Sequence, residues 1–115
     1  MLKITRGDDK SIAITFPTGT DLTGCTVFFT VKAKTDLNTV DAADNSAVVK
    51  AQTSSHSDPL NGRTVITLTH AATASAAPGD YVYDIQLKDS AGHITTYGNG
   101  PKPCRILADV GQRTS

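Results

Sequence analysis

The sequence predicts an all-β fold, an immunoglobulin-like antiparallel β-sandwich of about seven to eight strands with one short helix. Three observations predict it. Apolar and polar residues alternate with period two in several separate segments, and no segment of comparable length shows the 3.6-residue period of an amphipathic helix. Turn-forming pairs such as Asp58-Pro59, Asn61-Gly62 and Pro78-Gly79 recur between those segments. Aromatic residues make up 5% of the chain, Trp is missing, and Ser and Thr are frequent, a composition that suits strands around a thin core. At 115 residues the chain fits one domain, 1–115, with a single core.

Each element has its own signal. Ile12, Ile14 and Phe16 alternate with Ser11, Ala13 and Thr15, which gives a strand with one apolar face. The turn formers of 17–24 end it. From Cys25 to Lys34 one row holds Cys25, Val27, Phe29, Val31 and Ala33, and the other holds Thr26, Phe28, Thr30, Lys32 and Lys34, with Phe28 the apolar exception. Thr35 to Ser46 reads as a long loop. Ala47 to Thr53 reads as a short strand, Thr53 to Arg63 as turn-rich, and Thr64 to His70 as a β-branched strand. Ala71 to Ala77 is the one helix-favouring stretch, about two turns long and stopped by Pro78-Gly79.

Asp80 to Asp89 is the cleanest strand, with Tyr81, Tyr83, Ile85 and Leu87 on one face and Val82, Asp84, Gln86 and Lys88 on the other. Ser90-Ala91-Gly92 turns it into a strand from His93 to Tyr97. Gly98 to Pro103 reads as a break in the sheet, and Cys104 to Val110 as a last short strand.

Eleven basic and eleven acidic residues cancel, so the chain lacks the one-signed field that steers a protein to nucleic acid or anionic lipid. No apolar run approaches the ~20 residues of a membrane-spanning helix, and the first six residues contain no signal-peptide core. The sequence therefore predicts no nucleic-acid partner, no membrane partner and a cytosol-like site of synthesis. Cys25 and Cys104 form no disulfide framework and no Cys-x-x-Cys pair; two buried, unpaired thiols are expected.

Three pieces in order carry a family resemblance: Ile4-Thr5-Arg6-Gly7-Asp8, then Asp21-Leu22-Thr23-Gly24-Cys25-Thr26-Val27, then Leu68-Thr69 leading through Pro78-Gly79 to Asp80-Tyr81-Val82-Tyr83-Asp84-Ile85-Gln86-Leu87. Together they resemble the N-terminal immunoglobulin-like domain of phage baseplate upper proteins and related small virion proteins of tailed phages. The resemblance spans nearly the whole chain. It implies a structural component of the virion, a tail, baseplate or neck adaptor assembled in the bacterial host cytoplasm, with other virion proteins as partners. Baseplate upper proteins continue past this domain, so the place in the particle stays open, and a capsid decoration protein is an alternative. A carbohydrate-binding or adhesin sandwich is another, although it would need an exposed aromatic platform.

The motif residues themselves read as scaffold. Gly24 suits a positive-φ turn, Leu22 a plug at the end of the sandwich, and Asp21 and Thr23 suit bonds to nearby amides. Tyr81 and Tyr83 suit rings at the core edge with hydroxyls on polar partners.

The sequence offers no catalytic constellation, cofactor site or metal site. His56, His70 and His93 lack metal-ligand spacing. No Gly-x-Ser-x-Gly elbow occurs, and Cys25 falls in a core row rather than at an activating helix end. Asp41, Asp44 and Asn45 lack the ligand order of a calcium loop, and Gly98-x-Gly100 is followed by prolines rather than a helix. Arg6-Gly7-Asp8 matches an integrin-binding tripeptide but belongs to the strand and turn of the family pattern. What remains is assembly surface. Phe28, Val82 and Ile94 stand on otherwise polar rows, and with the Thr35 to Ser46 loop and the Pro101 to Val110 tail they are the expected contacts to partner subunits in a symmetric homo-oligomer.

Overall fold

Seven strands form among residues 2–33 and 47–108, the part of the chain that the computed structural model describes, side chains of 98–101 excepted. They are β1 (Leu2–Thr5), β2 (Lys10–Thr15), β3 (Thr26–Ala33), β4 (Val49–Thr53), β5 (Arg63–Leu68), β6 (Gly79–Lys88) and β7 (Ile94–Leu107), with a one-turn α-helix α1 (His70–Thr73) and a 3-10 turn at Pro59–Asn61. Five strands make one sheet in the order β1-β7-β6-β3-β4, and β2 and β5 make the other. All pairs are antiparallel except β1 with β7. The chain changes sheet at each of the connections β1–β2, β2–β3, β4–β5 and β5–β6, which wraps both sheets around one core in an immunoglobulin-like sandwich.

The period-two rows meet in that core. Val27, Phe29 and Val31 of β3 are fully buried beside Leu87 and Tyr81 of β6 and Cys104 and Ile106 of β7. Across the sandwich lie Ile14 of β2 and Thr64, Ile66 and Leu68 of β5. Removing a side chain such as Leu68 from water contributes roughly 1.5–3 kcal/mol.

The Asp21–Gly24 turn closes one end as its sequence predicts. Leu22 is fully buried, the Asp21 carboxylate accepts the Thr23 amide at 2.9 Å, and Gly24 has φ of 76°, which an L side chain rarely adopts. Thr23 makes no such side-chain bond among the described contacts.

Two expected elements differ. The helix is four residues long and begins at His70 instead of spanning 71–77. Seven alanine-rich residues are too few to nucleate a stable helix alone, and tertiary contacts decide the outcome. Thr73 is fully buried and accepts the Gly7 amide at 2.9 Å, Ala76 is 4% exposed, and the Asp9 carboxylate takes the His70 amide at 2.6 Å.

The second difference is β7. The expected break at 98–103 is a continuation of the strand with an irregular stretch inside it: Ile85 pairs with Tyr97 and Tyr83 with Lys102, so Asp84 alone stands against residues 98–101. The prolines are tolerated because β1 first pairs with β7 at Cys104, and before that point one edge of β7 has no described neighbour. The last strand therefore begins at Ile94 and ends at Leu107. The expected loop from Thr35 to Ser46 lies outside the described residues, as does the tail beyond 108.

Candidate functional site

The three expected contact residues share the outer face of the five-stranded sheet but do not form one patch. Phe28 is half-buried on β3 between Gln52 of β4 and Gln86 of β6. It borders a shallow groove of about 320 Å³ whose other walls include Thr30, Lys50 and Gln52. Val82 lies between Lys32 and Pro103. Ile94 pairs with Lys88 and is 61% exposed. Val82 is four residues along β6 from Gln86, roughly 13 Å at strand rise. The apolar residues are thus spaced among lysines and glutamines.

A different feature gathers side chains more tightly. Between the sheets lies a cleft of about 250 Å³ lined by Ile14 and Thr15 at the end of β2, Phe16 and Pro17 just after it, Tyr83, Asp84 and Ile85 from β6, and Tyr97 and Lys102 from β7. Phe16 meets Tyr97 edge to face with ring centroids 4.7 Å apart, and Tyr83 lies 5.3 Å from the Phe29 ring. Tyr83, Ile85 and Tyr97 pack against the core and are half-buried at this cleft.

This cleft is not legible in the sequence. The break expected at Gly98 to Pro103 leaves Lys102 outside any strand, whereas in the structure it stands on the inner row of β7 opposite Tyr83. The usable signal was the pair Tyr83 and Ile85 in the cleanest strand, but nothing local shows that the facing sheet has two strands.

Elsewhere, polar side chains act as fasteners. The Tyr81 hydroxyl donates to the Ala77 carbonyl at 2.6 Å, four residues upstream at the entry to β6, the arrangement known in immunoglobulin folds as a tyrosine corner. His56, expected in a loop, bridges the Thr64 hydroxyl and the Cys25 carbonyl at 2.9 Å each and joins the 54–58 segment to both sheets. Asp89 accepts the amides of Ala91 and His93 at 3.0 and 2.9 Å and contacts His93 Nδ1 at 3.2 Å. The His93 amide bond is the main reason that the Asp89 carboxyl lies below the usual range.

Both cysteines are buried and free. Burial pushes the Cys104 thiol up to about 11, and pushes Cys25 upward with help from the nearby negative charges of Asp89 and Asp21. A thiol held protonated is a poor nucleophile and a poor metal ligand. Among the described residues no three His, Cys, Asp or Glu side chains gather as a metal cluster.

No family model matches the chain, and no curated protein sequence matches it. Among solved structures it is similar to CopC from Methylosinus trichosporium OB3b, at 17% identity and a TM-score of 0.46 over 96% of this chain and 89% of that one.

Proposed function

We propose that the chain is a non-enzymatic structural component of a tailed-phage virion, a docking domain for neighbouring tail, baseplate or neck subunits. The phage setting is supported by the three sequence pieces in order. In the fold these pieces form the turn that plugs one end, the β1 strand and its following turn, and the strand with the tyrosine corner.

The observation that carries the docking role is the unequal sandwich, five strands facing two. Among the described residues it leaves an open seam, outer strand edges at β1, β2, β4 and β5, and a broad outer face bearing Phe28, Val82 and Ile94. Unpaired strand edges and spaced apolar residues are surfaces that association covers. In a ring or lattice, symmetry multiplies such contacts.

Cross-linking mass spectrometry on intact particles of the encoding phage tests the reading. Cross-links from Lys50, Lys88 or Lys102 to tail, baseplate or neck proteins are expected. Cross-links confined to the major capsid protein would move the chain to the head as a decoration subunit, and its absence from particles would sink the virion reading.

A further inference from the structure

One flank of the sandwich is closed and the other is open. On the open flank, among the described residues, β2 has a single hydrogen-bonded neighbour, β5, and β7 below Cys104 has a single one, β6. Two backbone edges therefore border the same seam, and the apolar cleft lies between them with Phe16, Tyr83, Ile85 and Tyr97 in its wall. Lys102 stands exposed at this cleft on the inner row of β7. Among the described residues it has no ion-pair partner, whereas Asp84 beside it is already engaged in another contact.

We infer that this seam binds an extended peptide segment of a neighbouring protein, which adds a strand to the free edge of β2, inserts one large apolar side chain into the cleft and sets a carboxylate against Lys102. The inference rests on the docking part of the proposed function and names the chemistry of the partner. Three features select this occupant. The free edge of β2 over Lys10–Thr15 presents amides and carbonyls that an added strand satisfies, the means by which strand addition gains affinity. A cleft of about 250 Å³ is smaller than the roughly 300–1,000 Å³ of typical small-molecule sites and suits a side chain. The ammonium of Lys102, with no ion-pair partner among the described residues, complements an acid. Side chains on one face of a strand recur every second residue, so the apolar and acidic residues of the segment stand two apart.

The test selects a random twelve-residue displayed peptide library on the purified full chain. Enriched peptides are expected to carry Asp or Glu two positions from a large apolar residue. Synthetic copies should bind about fivefold more weakly to Lys102→Glu, through loss of an exposed ion pair plus like-charge repulsion, and within about twofold of the parent to Lys102→Arg. Bound peptide should slow amide exchange in residues 10–15.

The inference is overturned by a selection that enriches nothing, by peptides that ignore Lys102→Glu, or by peptides that protect β3 and β4 in place of β2. It is also overturned if rising protein concentration alone slows exchange in residues 10–15, since the occupant would then be a second copy. The selection uses the isolated chain, so its outcome is separate from whether the chain is found in phage particles.

Discussion

The two flanks of the sandwich are built from the same alternating pattern and end differently. On the closed flank β4 lies against β5 and α1, and Val49, Val31, Ile66 and Leu68 are each at most 2% exposed. On the open flank Ile12, Tyr83, Ile85 and Tyr97 occupy equivalent inward positions and stay half-buried. The difference teaches that alternation fixes which way a side chain faces, whereas burial depends on whether a strand exists opposite it.

The comparison predicts unequal costs for similar truncations. Phe29 is fully buried at the centre, so Phe29→Ala should cost about 3–5 kcal/mol. Tyr97, on the seam and half-buried, loses one edge-to-face contact and part of its burial, so Tyr97→Ala should cost about 1–2 kcal/mol. Urea titration of both variants, with unchanged slope, measures the two. Equal losses would mean that the seam is as well packed as the centre and would remove the basis for a docking cleft.

A smaller effect tests the corner where β6 enters the sheet. Tyr81→Phe keeps the ring, which is 8% exposed, and deletes the bond to the Ala77 carbonyl. The expected loss is about 1 kcal/mol, somewhat more if that carbonyl finds no water. The matching deletion Tyr83→Phe, at a hydroxyl with no described bond, should be near neutral by the same denaturation measurement. A comparable loss at both sites would deny the corner its special role.

Much of the inward-facing core was legible in the sequence. The row Val27, Phe29 and Val31, the plug Leu22 and the inward pair Ile14 and Phe16 follow from period-two spacing and turn chemistry, which are local. The seam was not, because its edges depend on which strands pair across the chain. The parallel pairing of Leu2 with Cys104 and the meeting of Phe16 with Tyr97 join residues about a hundred and about eighty positions apart, and contacts at that distance leave no periodic trace. Lys102 was misplaced for a local reason, since Pro101 and Pro103 ordinarily end a strand and here sit where one edge is unneeded. His56 falls in the turn-rich stretch from Thr53 to Arg63, and its two bonds depend on Thr64 of β5 and Cys25, just ahead of β3, meeting beside it.

The cysteines sharpen the contrast chemically. Cys104 is buried where β1 first covers β7, and its thiol is raised from 9.0 to about 11. A group whose folded value lies above its unfolded one supports the folded state below the unfolded value and stops doing so as pH rises through the folded one. Stability should therefore fall between pH 9.0 and about 11, and the fall should flatten in Cys104→Val. Neither thiol should react with iodoacetamide at pH 8 until the chain is unfolded. Rapid native labelling of Cys104 would show that the seam opens further than its burial implies.

The smallest expected effect lies at the opposite end, in the clasp between the turn after β1 and the start of α1. Asp9 takes the His70 amide at 2.6 Å and approaches His70 Nδ1 at 3.1 Å. The amide bond, followed by the ring contact, holds the Asp9 carboxyl below its ordinary 3.8. A carboxyl depressed in the folded state adds stability above its unfolded value and loses that contribution as pH falls through the folded one. The group is open to water, so the expected signal is a small difference in thermal midpoint between the parent chain and Asp9→Asn at pH 6, shrinking as pH falls below 3.8. Because the clasp fastens α1, and α1 packs on β4, loosening it should speed amide exchange in 49–53 on the closed flank and leave residues 94–97 on the seam side unchanged. Equal acceleration on both flanks would mean that they open as one unit, and that the seam has no independent freedom to admit a strand.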